Sequence, residues 1–190
     1  MENEENFLKY ISLQAKVYAD FYFFKNINII DVENEGGTVE MKSQPKFVLK
    51  ISRVSEKGII PKRATNGSAG MDLHACIDEN VVLKPGERVF IKCGIAISLP
   101  EGYAAFIFPR SGLGVKHGLT LSNCVGVIDS DYRGEIGVGL YNLSSDEYTV
   151  KPNDRIAQMV VMPVCMVETE EVETLDETER GAGGFGSTGK

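Results

Sequence analysis

The ten residues G-V-I-D-S-D-Y-R-G-E, running from Gly126 to Glu135, place carboxylates, a phenol ring and a guanidinium in one short connection. A turn needs only Gly, Asn, Asp or Ser. A Tyr between an Asp and an Arg is more than turn chemistry requires. Asp129 and Tyr132 can serve one ligand together, as an acid–base group and a flat apolar platform. Val127 and Ile128 lie before the polar stretch, and the apolar run 136–140 follows it. Two apolar runs around a short polar loop predict a β-hairpin.

Four further clusters carry polar or glycine-rich chemistry. They are Ala69-Gly70-Met71-Asp72-Leu73, Pro109-Arg110-Ser111-Gly112-Leu113-Gly114, Arg155-Ile156-Ala157-Gln158-Met159, and the tail from Arg180 to Gly189. Asn123 stands just upstream of the central stretch. Read together they form an anion-binding kit. Arg110, Arg155 and Arg180 each offer a planar fork suited to phosphate oxygens. Ser111 and the backbone N–H groups around Gly112 suit another oxygen. Ser187 and Thr188, flanked by glycines, can wrap an anion closely. Phe185 has Gly on both sides and no core to enter, which suits base stacking. The string G-F-G-S-T-G-K at 184–190 matches a phosphate-loop spacing but lacks the Ser or Thr and the helix that must follow.

In this order the five clusters resemble the five motifs of the trimeric deoxyuridine triphosphatases (dUTPases), over about residues 47–190. P-R-S-G-L-G, G-V-I-D-S-D-Y-R-G and R-G-A-G-G-F-G-S-T-G are the specific strings. The resemblance implies an all-β jelly roll, a dUTPase-like β-clip barrel, assembled as a homotrimer with active sites between subunits. It implies hydrolysis of dUTP to dUMP and diphosphate with Mg2+ as cofactor, which keeps uracil out of DNA and supplies dUMP for thymidylate synthesis. Asp129 would then orient and deprotonate the attacking water and bond the sugar 3′-OH. Tyr132 would lie under the deoxyribose and exclude a 2′-OH. The backbone from Asn123 to Gly126, continuing through Val127 and Ile128, would read the uracil edge. Arg110, Ser111, Gly112 and Gln158 would contact phosphate, with Arg155 in support. Asp72 would face the metal through water, or pair with an Arg. Arg180, Phe185, Gly186, Ser187 and Thr188 would close over the bound nucleotide.

Two other functions use similar chemistry. One is a dCTP deaminase or a bifunctional enzyme; by resemblance such enzymes carry a Glu a few residues past the central Gly, about where Gly139 stands, while Glu135 is on the wrong spacing. The other is a nucleotide-gated interaction protein using the same pocket.

These clusters need a scaffold. Short apolar runs at 47–51, 81–83, 89–91, 95–99, 104–108, 125–128, 136–140 and 156–161 alternate with Gly/Pro-rich turns, so residues 46–167 predict an all-β domain. Residues 1–45 hold Phe7, Tyr10, Ile11, Val17, Tyr18, Phe21 and Phe24 at roughly three-to-four spacing, which predicts a helical extension with room for an unknown partner. Residues 168–190 form an acidic stretch and then a glycine-rich arm, flexible until something orders it.

Composition bounds the rest. The chain has 190 residues and a net charge of −7, which argues against nucleic-acid binding. No apolar run reaches membrane-spanning length, and the acidic start M-E-N-E-E is unlike a secretory signal. The expected location is cytoplasmic, or nuclear or organellar in a eukaryote. Cys76, Cys93, Cys124 and Cys165 lack metal or disulfide spacing. Cys124 and Cys165 sit among apolar residues and are expected to be buried.

Overall fold

The computed structural model describes residues 47–184. The expected N-terminal helix therefore lies outside the described residues, as do Phe185, Gly186, Ser187 and Thr188. In chain order the elements are β1 (Lys50–Arg53), β2 (Met71–His74), β3 (Val81–Leu83), β4 (Arg88–Lys92), β5 (Ile95–Ser98), β6 (Tyr103–Phe108), α1 (Ser111–His117), β7 (Leu119–Leu121), β8 (Gly126–Ile128), β9 (Gly137–Asn142), β10 (Tyr148–Val150) and β11 (Arg155–Pro163). The strands form a four-stranded sheet β2-β11-β6-β8, a three-stranded sheet β4-β9-β7, and the pairs β1-β5 and β3-β10. Every recorded pairing is antiparallel. This is the all-β architecture that the turn spacing predicts and the jelly roll that the family resemblance implies.

Period-two burial explains the sheets. On β4, Val89 and Ile91 face inward while Arg88, Phe90 and Lys92 face outward. On β9, Val138, Leu140 and Asn142 are buried between the partly exposed Gly137, Gly139 and Tyr141. Ile95, Ala96 and Ile97 on β5 are all buried, so that strand is covered on both faces. Leu73, Ile95, Leu140, Ile156 and Met159 meet in one continuous core.

Four expectations are corrected. The runs around Asp129 are not two arms of a hairpin: β8 pairs with β6, whereas β9 lies between β4 and β7. The intervening segment crosses from one sheet to the other. Alternation reveals a strand but not its partner. Second, the Arg110-Ser111-Gly112 segment, whose glycine and serine read as a turn, is the start of helix α1. That helix holds two glycines and buries only Leu113, so it leaves no amphipathic signature. It ends at Gly118, whose φ of 63° suits the left-handed cap. Third, β2, β7 and β10 are strands that the apolar-run pattern passed over. They are three or four residues long, and their outward positions carry Asp72, Thr120 and Thr149. Fourth, Cys124 and Cys165 are exposed. Cys93 is the buried thiol, and burial together with Cys76 and Glu135 pushes it up to about 12.

Asn142 is the one fully buried polar side chain among the described core residues. Its Nδ2 donates to Leu83 O (3.0 Å) and Asp146 O (2.8 Å). Its Oδ1 accepts from Ser144 N (2.9 Å) and Ser144 Oγ (2.7 Å). It thus ties β9 to β3 and to the turn that leads into β10. Asn142→Ala would strand these partners in a dry site. Urea unfolding should show it destabilised by at least about 2 kcal/mol, since each unsatisfied buried group costs about 1–3 kcal/mol.

Candidate active site

The sequence-predicted residues gather into two clusters. The first is a cleft of about 260 Å³ between the two larger sheets. Asn123, Gly126, Val127, Ile128, Asp129 and Tyr132 line one part of it, and Gly137, Val138 and Gly139 of β9 another. Ile107, Leu121 and Phe90 complete the apolar wall. The crossing between sheets is what opens this space, because β8 and β9 separate to join different partners.

Glycines keep the cleft open. A Cβ at Gly126 would stand 3.1 Å from Ile107 Cβ, and one at Gly139 would stand 2.3 Å from Ser122 Oγ. Position 139 carries Gly, so the Glu that a deaminase reading requires is absent there, and any side chain would have to displace the Ser122 hydroxyl. A Cβ at Gly134 would strike Tyr132 Oη at 2.3 Å. Tyr132 lies over that bare backbone, and its hydroxyl donates to Glu135 O at 3.1 Å. Arg133 Nη1 closes the loop on Ser130 O (2.6 Å) and Tyr132 O (2.9 Å). Arg133 therefore holds the loop backbone rather than reaching into the cleft. Glu135 accepts from Gly94 N at 3.0 Å and pairs with Lys92 at 3.0 Å, which pins the far end of the loop.

The second cluster centres on Asp72. Its Oδ1 accepts from Arg110 Nε at 2.9 Å, and its Oδ2 accepts from Arg155 Nη1 at 3.1 Å. Arg110 Nη1 also donates to Arg155 O at 3.2 Å. A β-bulge makes this geometry. The register between β11 and β2 slips between Arg155 and Ala157, so Arg155 faces His74 while Gln158 faces Asp72. Gln158 Nε2 donates to Pro109 O at 3.0 Å, fixing the chain just before Arg110. Gly70 packs beside it, and a Cβ there would stand 2.6 Å from Gln158 Oε1, so the Gln158 amide would have to move. Of the two expectations for Asp72, the structure places it on arginines. His74, next to this cluster, is held below the ordinary His value, chiefly by burial and further by Arg155 and Arg110.

Sequence motifs alone missed Gly137, Phe90, Ile107 and Leu121 as cleft residues. Phe90 was legible as a break in pattern, a Phe at an outward position between Arg88 and Lys92. Arg180 lies apart from both clusters, on the exposed arm, where its Nε donates to Gly183 O at 2.8 Å. The nucleotide-closing residues after it lie outside the described residues. No residue of the Asp72 cluster lines the first cleft. Arg110 and Arg155 instead border a separate hollow of about 150 Å³ with Tyr148 and Asp154.

The family model described as dUTPase matches residues 56–189. A deoxyuridine 5'-triphosphate nucleotidohydrolase of Finegoldia magna is 57% identical over 130 residues, covering 68% of this chain and 91% of that protein. One from Neisseria meningitidis serogroup A is 55% identical over 132 residues, covering 69% and 88%. Among solved structures, a Staphylococcus bacteriophage 80alpha dUTPase mutant with dUpNHpp superposes with TM-score 0.69 at 29% identity, covering 76% of this chain and all of that one. A phage phi11 dUTPase mutant, described as revealing the coordination of a structural Mg(II) ion, superposes with TM-score 0.61 at 28% identity, covering 67% and 98%.

The Asp72 cluster makes a graded prediction. The Arg110 side chain is 23% exposed and that of Arg155 is 53% exposed, so solvent screens the second pair more. Double-mutant cycles in urea should give a coupling of about 0.5–3 kcal/mol for Asp72 with Arg110. The coupling with Arg155 should be smaller. An equal or reversed order would contradict this assignment of burial.

Proposed function

The chain belongs to the dUTPase family, and on that premise we propose that its two clusters are the nucleoside and phosphate halves of one active site. The protein is a dUTP diphosphatase, which hydrolyses dUTP to dUMP and diphosphate. The observation that carries the assignment of halves is the separation itself. One half is a cleft with apolar walls, a carboxylate and exposed backbone; the other is a pair of guanidiniums held by one carboxylate.

In the nucleoside half, the backbone from Asn123 to Ile128 reads the uracil edge. A base with the wrong donor order leaves buried polar groups unpaired, a larger penalty than a poorly fitting methyl. Tyr132, rigid over Gly134, carries the deoxyribose and leaves no space for a 2′-OH. The Asp129 carboxylate accepts a proton from the attacking water. The water oxygen bonds to the α-phosphorus, and the bond from that phosphorus to the bridging oxygen breaks, releasing diphosphate. A carboxylate is a weak base, so its fixed position in the cleft supplies much of the effect.

In the phosphate half, Arg110, Ser111, Gly112 and Gln158 hold triphosphate oxygens, and Arg155 supports Arg110 through Asp72. Among the described residues no group of three carboxylate, imidazole or thiol side chains could cage a metal. Asp72 has a guanidinium on each oxygen, which leaves lone pairs for the waters of a hydrated ion rather than for a direct ligand set. That fits Mg2+, which keeps several waters when it binds a triphosphate. When bound, the ion neutralises charge developing on the phosphates. Arg180 and residues 185–188 are proposed to close the site.

The family resemblance implies a homotrimer, proposed here with one subunit supplying the nucleoside half, a second the phosphate half and a third the tail; the absence of Asp72-cluster residues from the nucleoside cleft of their own chain supports a shared site. Location in the cytoplasm, or in the nucleus or an organelle, is part of the same proposal.

Asp129→Asn tests the mechanism. It should keep dUMP binding and lower dUTP turnover by a factor on the order of 10²–10⁴, the range for a lost general base. Wild-type turnover in this variant would remove Asp129 from the proton transfer. Light scattering tests the assembly: the expected mass is about three times the 20.8 kDa chain. A fully active monomer would refute the shared site.

A further inference from the structure

Phe90 breaks the pattern of its own strand. The outward positions of β4 are 88, 90 and 92, and the outer two carry Arg and Lys. At the middle one stands a Phe that is 67% exposed. A lone exposed apolar residue on a convex surface needs no explanation. Phe90 is not in that situation, because it lines the nucleoside cleft with Asn123, Asp129 and Tyr132.

Its neighbours across the sheet are glycines. The register sets Phe90 opposite Gly139 and Lys92 opposite Gly137. A Cβ at Gly137 would come within 2.0–2.7 Å of the three far-edge carbons of the Phe90 ring. The ring tip therefore rests on bare backbone in space that any other residue at 137 would claim. A ring supported on the sheet and bare toward a cleft is preorganised to receive a flat ligand, with little left to order on binding.

We propose that Phe90 is a nucleoside-binding residue, an aromatic wall of the cleft that packs against the nucleoside and makes no contact with the phosphates. This rests on the assignment of the cleft as the nucleoside half. It adds a residue that lies in none of the five sequence clusters, on a strand of the other sheet from β8.

The test separates the two ends of the substrate. Inhibition constants for dUMP and for diphosphate are measured on full-length Phe90→Ala and Phe90→Leu proteins. Phe90→Ala should weaken dUMP by about 5- to 140-fold, the equivalent of the 1–3 kcal/mol that aromatic stacking on a base contributes. Diphosphate inhibition should stay within about twofold, and KM for dUTP should rise with the dUMP constant. A merely structural role would weaken both inhibitors together, and that result overturns the proposal. So does dUMP affinity within twofold of wild type in either variant. Phe90→Leu keeps the apolar character without the flat ring, so it carries the same test if the alanine variant does not fold. Phe90→Tyr should retain wild-type dUMP affinity within about threefold. If the wild-type enzyme turns over dUTP but binds dUMP outside this cleft, as Tyr132→Ala would reveal by leaving dUMP affinity unchanged, the cleft assignment falls and takes this proposal with it.

Discussion

One carboxylate shared between two guanidiniums organises the proposed phosphate half of this protein. Asp72 sits on β2, Arg155 at the start of β11, and Arg110 just beyond the end of β6. Those three strands lie side by side in one sheet, and the ion pairs cross all of them. Arg110 is thereby held extended from both sides, by Asp72 and by the carbonyl of Arg155. Holding an arginine in place before substrate arrives removes ordering cost from binding. It also explains the β-bulge at Arg155. Without the extra residue, the alternation of β11 would put position 155 in a different relation to Asp72.

The proposed nucleoside half is built by a different means, the omission of side chains. Gly126, Gly134, Gly137 and Gly139 each stand where a Cβ would meet a neighbour inside ordinary contact distance. The core below them is closely packed, with Ile136, Val138 and Leu140 on the buried face of the same stretch. One strand thus does two jobs. Its inward face builds the core and its outward face is emptied to admit a ligand. Tyr132 and Phe90 are the aromatic rings at the cleft, and each rests on the backbone of a glycine.

The two halves face different requirements. Phosphate contacts need fixed positive charge, and a paired carboxylate supplies the fixing. Base and sugar contacts need shape and exclusion of water, which an apolar cleft bounded by rigid strands supplies. Placing them on separate regions of one chain lets each be tuned without disturbing the other.

Much of this was legible in residue types. Asp129, Tyr132, Arg110 and Gln158 stand out because their chemistry exceeds what turns and strands demand, and that excess is visible without coordinates. Short apolar runs between turn signals marked eight of the strands, since a strand-length apolar segment is written locally. Pairing is not written locally. That β8 and β9 part company, that Arg155 reaches Asp72 from 83 positions away, and that Phe90 enters a cleft made mostly by residues 107–139 follow from which strands share a sheet. Helix α1 escaped detection because two glycines and a single buried Leu give it no periodic face; tertiary packing and the Gly118 cap hold it. The sequence by itself determined the chemical groups and the strands that carry them. Tertiary structure decided which groups meet, because strand partners are chosen by burial of the whole core rather than by any one segment.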